Sequence, residues 1–281
     1  MVLAIVDIET GDPIVAELCE QSRWEEAFAL LDRLEPLTTR PLDVARLKLA
    51  RVRSLSDLDW ARGLRNPAEK HALLDEVQAI VRGESTELEA MAEFQRGMAL
   101  HLEFIMAVGD ADRELECFTR AAALFESIGD LENAALSIAF IGIFHHVDRL
   151  DRDAAIPFLQ KAYELTEAGR GSEARSEATR HLGQIHQERG EFAAAIPLLE
   201  ESLAARAEAG SSRHLASALH ALGYAHLEAG NLDTAEDYLD RGRHLGELHG
   251  SRLFLPMIAK ARAELALRRI VGPNTAGRTH P

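Results

Sequence analysis

Residues 182–199 (LGQIHQERGEFAAAIPLL) and residues 222–239 (LGYAHLEAGNLDTAEDYL) decide how this chain folds. Laid on one another, they align Leu182 with Leu222, Gly183 with Gly223, His186 with His226, Gly190 with Gly230, Ala195 with Ala235 and Leu199 with Leu239. One unit upstream, Ala154-Ala155-Ile156-Pro157 matches Ala194-Ala195-Ile196-Pro197. A repeat of about 40 residues marks an array whose units bury their apolar faces against one another. Small residues, Gly183 and Ala195, stand where two helices must cross, and Leu182, Phe192 and Leu199 fill the seam.

Working outward, Gly109, Gly129, Gly169, Gly190, Gly210, Gly230 and Gly250 recur roughly every 20 residues, with one beat missing near Arg149. A helix and a tight turn fill that interval, and glycine closes the helix because it adopts the left-handed conformation without a Cβ clash. Helix-starting residues follow several of these glycines: Asp110, Asp130, Ser211, Asn231 and Ser251. The pattern predicts helix, turn, helix, many times over.

Leu182, Gly183, His186, Gly190, Phe192, Ala195 and Leu199, repeated as Leu222, Gly223, His226, Gly230, Leu232, Ala235 and Leu239, resemble the tetratricopeptide repeat (TPR) family in an extended form. The resemblance is specific over residues 131–250. It implies an all-α, right-handed superhelical solenoid of antiparallel helix pairs whose first helices line a concave, ligand-binding face. Longer units of this kind occur in sensor regions of some bacterial transcription regulators and in motor and scaffold adaptors.

Composition agrees with helices packed on helices. Hydrophobic residues make up 47% of the 281 and aromatics only 5%, with alanine and leucine dominant. The 46 acidic against 31 basic residues leave a charge of −15. That balance argues against direct nucleic-acid binding and against an anionic membrane surface. No apolar run approaches the length of a membrane span, and the opening MVLAIVDIETGD lacks the basic start of a secretory signal. Cys19 and Cys117 read as separate buried thiols. Together these features predict a reducing, cytoplasmic setting.

The chain divides into an N-terminal helical region of degenerate repeats (1–84), a regular array (85–250), a capping helix (251–270) and a disordered tail (271–281). Helices are expected as a short pair over 13–34, then over 42–60 and 68–82. The array follows over 86–107, 111–128, 131–147, 152–168, 173–189, 192–208, 212–229, 232–249 and 252–270, about thirteen helices in all. Pro157 and Pro197 fall inside second helices and are expected within their first two turns, facing solvent. The final helix either covers the last repeat or docks a second copy of the chain, a possible route to a homo-oligomer.

Chemical motifs are sparse. There is no phosphate-cradling loop, no GxSxG elbow and no CxxC, so no catalytic residue and no cofactor are assigned. His146, His186 and His226 occupy equivalent places and are expected to pack where the family places an aromatic ring; a pH-sensing column is the alternative. The cluster His145, His146, Asp148 and Asp151 contains metal-competent residues but no recognised ligand spacing, and no metal site is assigned. The basic run Arg46, Lys48, Arg51 and Arg53 is expected to form salt bridges on a solvated face, or else to dock an acidic partner.

The resemblance points to a groove instead. Its concave-facing slots fall on Glu177, Arg180, Gln184 and Gln187, then on Ser217, His220 and Tyr224, with Lys260 and Glu264 added by the capping helix. The subtype that grips chaperone tails uses paired asparagines, which Asn66, Asn133, Asn231 and Asn274 do not supply. The expected function is a non-catalytic scaffold or adaptor holding a peptide or protein partner. The alternative is a peptide- or ligand-sensing regulatory module, with an enzyme a minor third reading.

Overall fold

The computed structural model describes residues 8–63, 67–105, 111–166, 172–210 and 215–271. Among them every regular element is helical, with thirteen α-helices. Chain contacts divide the protein into two compact units, Met1–Ala168 and Gly169–Pro281.

The first unit contains α1 (Ile8–Glu20), α2 (Trp24–Leu34), α3 (Pro41–Arg62), α4 (Pro67–Val81), α5 (Thr86–Ile105), α6 (Ala111–Ser127), α7 (Leu131–Ile143) and α8 (Arg152–Leu165). The second contains α9 (Glu173–Glu188), α10 (Phe192–Glu208), α11 (Leu215–Glu228), α12 (Leu232–Leu248) and α13 (Phe254–Val271). Each unit is a stack of helix hairpins closed by short turns. Gly109, Asp110, Gly169, Ser211 and the tail beyond 271 lie outside the described residues.

The turns have one construction. After α9, Gly190 donates to the Gln187 carbonyl at 2.9 Å and Glu191 to that of His186 at 2.9 Å. Gly230 and Asn231 repeat this with Leu227 and His226 at 3.1 and 2.8 Å. This double bond pattern needs a left-handed residue, and the φ values of Gly190 and Gly230 are +76° and +82°. The beat missing from the glycine series is taken by Leu150, whose φ is +54° and whose side chain is 73% exposed. A side chain in that conformation costs about 1–2 kcal/mol.

Just before Leu150, the helix expected over 131–147 changes character. It ends as α-helix at Ile143 and continues as a π-helical segment over Phe144–Asp148. Consequently Asp151 reaches back to the His145 carbonyl at 2.8 Å, one residue further than the equivalent bond at Glu191. Side-chain caps form at Asp130, Asp151 and Ser172. Asn231 makes none; its amide instead lies 3.3 Å from His226 Nδ1.

The helix crossings also repeat. A Cβ added at Gly142 would stand 2.7 Å from Leu159 Cγ, at Gly183 2.8 Å from Leu199 Cγ, and at Gly223 2.7 Å from Leu239 Cγ. The three leucines are essentially buried, at 0%, 1% and 0% exposure. Missing side chains let paired helices approach, and each buried leucine contributes about 1.5–3 kcal/mol. Pro157 and Pro197 are each the sixth residue of their helix and are exposed, so the lost hydrogen bond falls in the second turn. The first helix begins at Ile8 rather than 13, with Pro13 tolerated inside it for the same reason.

Candidate functional site

In the second unit α11 touches both α9 and α13, so the three first helices of successive hairpins lie side by side. Side chains from this layer include all nine residues assigned to the groove. The structure sorts them into two groups.

Glu177, Arg180 and Ser217 belong to a half-buried ion network centred on Arg206 of α10. Arg206 pairs with Glu177, donates to Ser176 Oγ at 3.0 Å and donates to Ser217 Oγ at 3.3 Å. Arg180 Nε donates to Glu177 at 3.2 Å, and His181 Nε2 lies 3.9 Å from the same carboxylate. Burial alone would raise the Glu177 carboxyl, but Arg180, Arg206 and His181 outweigh it and hold it well below the usual carboxylate range. Arg206 was not among the expected residues. Its signal was a lone arginine on the otherwise small and apolar stripe of Leu199, Ser202 and Ala205.

His220 and Tyr224 of α11 and Lys260 of α13 have other surroundings. The His220 and Tyr224 rings stack at 6.4 Å and 17°, and Tyr224 is 37% exposed. Burial lowers the His220 imidazole. Burial, and then the charges of Glu228 and Glu264, raise the Tyr224 phenol, which stays protonated as a donor. Arg268 bonds Glu264 at 2.6 Å, pairs with Glu228 and donates to the Leu227 carbonyl at 2.8 Å. Lys260 is exposed, one turn before Glu264 on α13, and Gln184 and Gln187 are half-buried on α9.

The remaining sequence candidates resolve differently. His186 Nδ1 lies 2.6 Å from Glu191, and His226 stacks on Tyr238 at 5.4 Å; each ring meets the residue that opens the next helix. The basic run of α3 is fully committed: Arg46 to Asp43, Lys48 to Glu76, Arg51 to Asp32 and Arg53 to Asp12. Cys19 and Cys117 are buried thiols outside any disulfide, the latter pushed up to about 12 chiefly by burial. One face of α13 is buried through Ile258, Ala261 and Leu265, packed with Leu227, Ala235 and Leu239.

Two features of the first unit had no sequence expectation. Asp148 does not gather its sequence neighbours but meets His101 of α5 and Glu114 of α6. Burial pushes Glu114 up to about 7; burial and then the Glu114 charge push Asp148 up to about 7. Separately, Arg82, Arg96, Arg113 and Arg120 line an open pocket with Glu93, Glu116 and Cys117. Arg96 there is paired with Asp75, and Arg120 with Glu93.

Comparison with known proteins matches this architecture. Residues 174–243 match the family model described as tetratricopeptide repeat. No curated protein sequence matches the chain. Among solved structures, BtubC (BKLC) from P. vanneervenii is 17% identical with a TM-score of 0.53, covering 98% of this chain and 96% of that one. The STAND protein with a tetratricopeptide repeat sensor, PH0952 from Pyrococcus horikoshii, gives 13% and 0.62, over 94% of this chain and 39% of that one. A chain of the APC/C hetero-tetramer Cut9–Hcn1 gives 17% and 0.61, over 93% and 46%. This chain therefore spans less than half the length of the latter two proteins. Among the described residues no helix is long and apolar enough to cross a membrane. The fold is TPR-like, and residues 174–243 are similar to tetratricopeptide repeats.

Proposed function

We propose that the chain is a non-catalytic binding module that holds a peptide or a partner's helix along α9, α11 and α13. The observation that carries this reading is the His220–Tyr224 platform, with Lys260 exposed on the next first helix. A flat aromatic surface supplies contact area at low entropic cost, and an exposed cation on the adjoining helix orients an acidic group of the partner. Arg180 plays no direct part in this version, because Glu177 already holds it.

A regulatory role is the second reading. It is favoured by the likeness of the fold to a STAND protein with a tetratricopeptide repeat sensor. In that case ligand binding shifts the protein between two shapes, read as a change in radius of gyration by small-angle scattering.

The test is selection from a displayed peptide library, followed by titration of the enriched peptide against wild type, Tyr224→Ala and Lys260→Glu. Both substitutions are at exposed positions, so the variants should remain folded. Loss of about tenfold or more in affinity, equivalent to about 1.4 kcal/mol, supports the site. Equal affinity in all three chains removes it.

A further inference from the structure

In the first unit, three chemically active side chains from separate helical segments converge. His101 comes from α5, Glu114 from the first turn of α6 and Asp148 from the end of the π-helical segment. His101 Nδ1 is 2.9 Å from Glu114 Oε1, and one ligand atom from each of the three residues lies within 4.8 Å of the others. The side chains of His101 and Glu114 are 5% and 0% exposed. Yet among the described residues no N–H or hydroxyl donor reaches Glu114 Oε2 or either carboxylate oxygen of Asp148, and the two acids meet only each other there.

Such an arrangement is costly as it stands. Buried carboxylate oxygens are normally paired, because leaving them alone forfeits hydration with nothing in return. The charges of His101 and Arg149 favour the Asp148 carboxylate, but burial outweighs them. The His101 ring packs against Phe140 at 5.8 Å and Trp60 at 6.4 Å. The neighbouring Arg149 is turned to Asp112 and lies over the Phe144 ring, 5.1 Å from its centroid.

We propose that His101, Glu114 and Asp148 form a binding site for a divalent transition-metal ion such as zinc or manganese. One such ion answers all three oxygens together with the imidazole, and replaces the proton the two acids would otherwise share. One nitrogen and two carboxylate groups make a donor set suited to borderline and hard divalent ions. Ligand atoms at about 2.0–2.2 Å from an ion stand about 3–3.5 Å from one another, so the present spread closes by about 1 Å on binding. Three protein ligands leave at least one position for water or for a donor from a bound molecule. Because the ligands come from α5, α6 and the segment after α7, the ion also ties these three segments together.

The experiment uses the full chain, stripped with a chelator and dialysed. Zinc and manganese are titrated separately by calorimetry, metal content is measured after gel filtration, and the thermal midpoint is recorded with and without ion. The expected result is one ion per chain and a raised midpoint, both lost in Glu114→Gln and in Asp148→Asn. These near-isosteric changes preserve packing, and unchanged far-ultraviolet circular dichroism verifies that each variant is folded. If wild type takes up neither ion, the proposal fails. Equal uptake by the folded variants also overturns it, placing the ion among surface carboxylates. A protonated-acid infrared band that disappears in Glu114→Gln and persists in wild type despite excess zinc identifies a proton-sharing carboxyl pair instead, and likewise overturns it.

Discussion

Adding a single methyl group at Gly183 probes the repeat at its tightest point. In Gly183→Ala the new Cβ stands 2.8 Å from Leu199 Cγ, 3.0 Å from its Cδ2 and 3.2 Å from the Ala195 carbonyl oxygen. Favourable carbon contacts begin at about 3.5 Å. Leu199 is only 1% exposed and has nowhere to swing, so the helices must separate. Overpacking of this kind costs about 1–3 kcal/mol. Replacing glycine by alanine inside a helix returns about 1 kcal/mol. The net expectation is a loss of about 1 kcal/mol. In a Leu199→Ala background the obstruction is gone and only the helix preference remains, so the same change stabilises by about 1 kcal/mol. The two positions should therefore couple by about 2 kcal/mol, within the range for residues in contact. Gly190→Ala serves as the control: its Cβ meets nothing within 4 Å, and only the φ of +76° opposes it. It should cost about 1 kcal/mol with Leu199 present or absent. The assay is urea unfolding followed by circular dichroism in all four members of the cycle. If Gly183→Ala is stabilising in wild type, or has the same effect in both backgrounds, the crossing argument is refuted.

Two further outcomes concern buried charge. Lys70 and Asp59 form a salt bridge of 2.9 Å with side chains only 1% and 4% exposed. Asp59→Asn should cost about 3–5 kcal/mol in urea unfolding, because it leaves the ammonium without its counter-charge, while the double change Lys70→Met with Asp59→Leu should recover most of that loss. For Glu177, the folded carboxyl is held below its ordinary value of 4.5, so the unfolded chain binds the proton more readily. Its contribution is complete above that value and is lost as pH falls below it. Acid titration of the unfolding free energy should therefore be steeper for wild type than for Glu177→Gln between about pH 5 and 3, and parallel curves would contradict the pairing.

The repeat was legible because its signals are local. Gly183, Leu199, Gly190 and their counterparts recur at one spacing, and each has a single steric task, so helix ends and crossings follow from the residue types. The missing beat was legible only as an absence. No propensity marks Leu150 for a left-handed conformation, and it is the π-helical segment before it that shifts the frame by one residue. The charged groups were harder. Arg206 sits on a second helix, where the family pattern assigns no groove role, yet it organises Glu177, Ser176 and Ser217. His101, Glu114 and Asp148 share no sequence spacing at all, since their meeting depends on how three segments pack. The histidine and aspartate of the HHVDRLD stretch suggested a local cluster, whereas the structure draws Asp148 away toward Glu114.

The central claim is that binding occurs on the first-helix layer of the second unit. Amide hydrogen exchange on the chain with a selected peptide tests it most directly. Binding on this layer predicts new protection in α11 and α13 around Tyr224 and Lys260, with α10 and α12 unchanged. Protection confined to α10 and α12, with α11 and α13 unaffected, would contradict it.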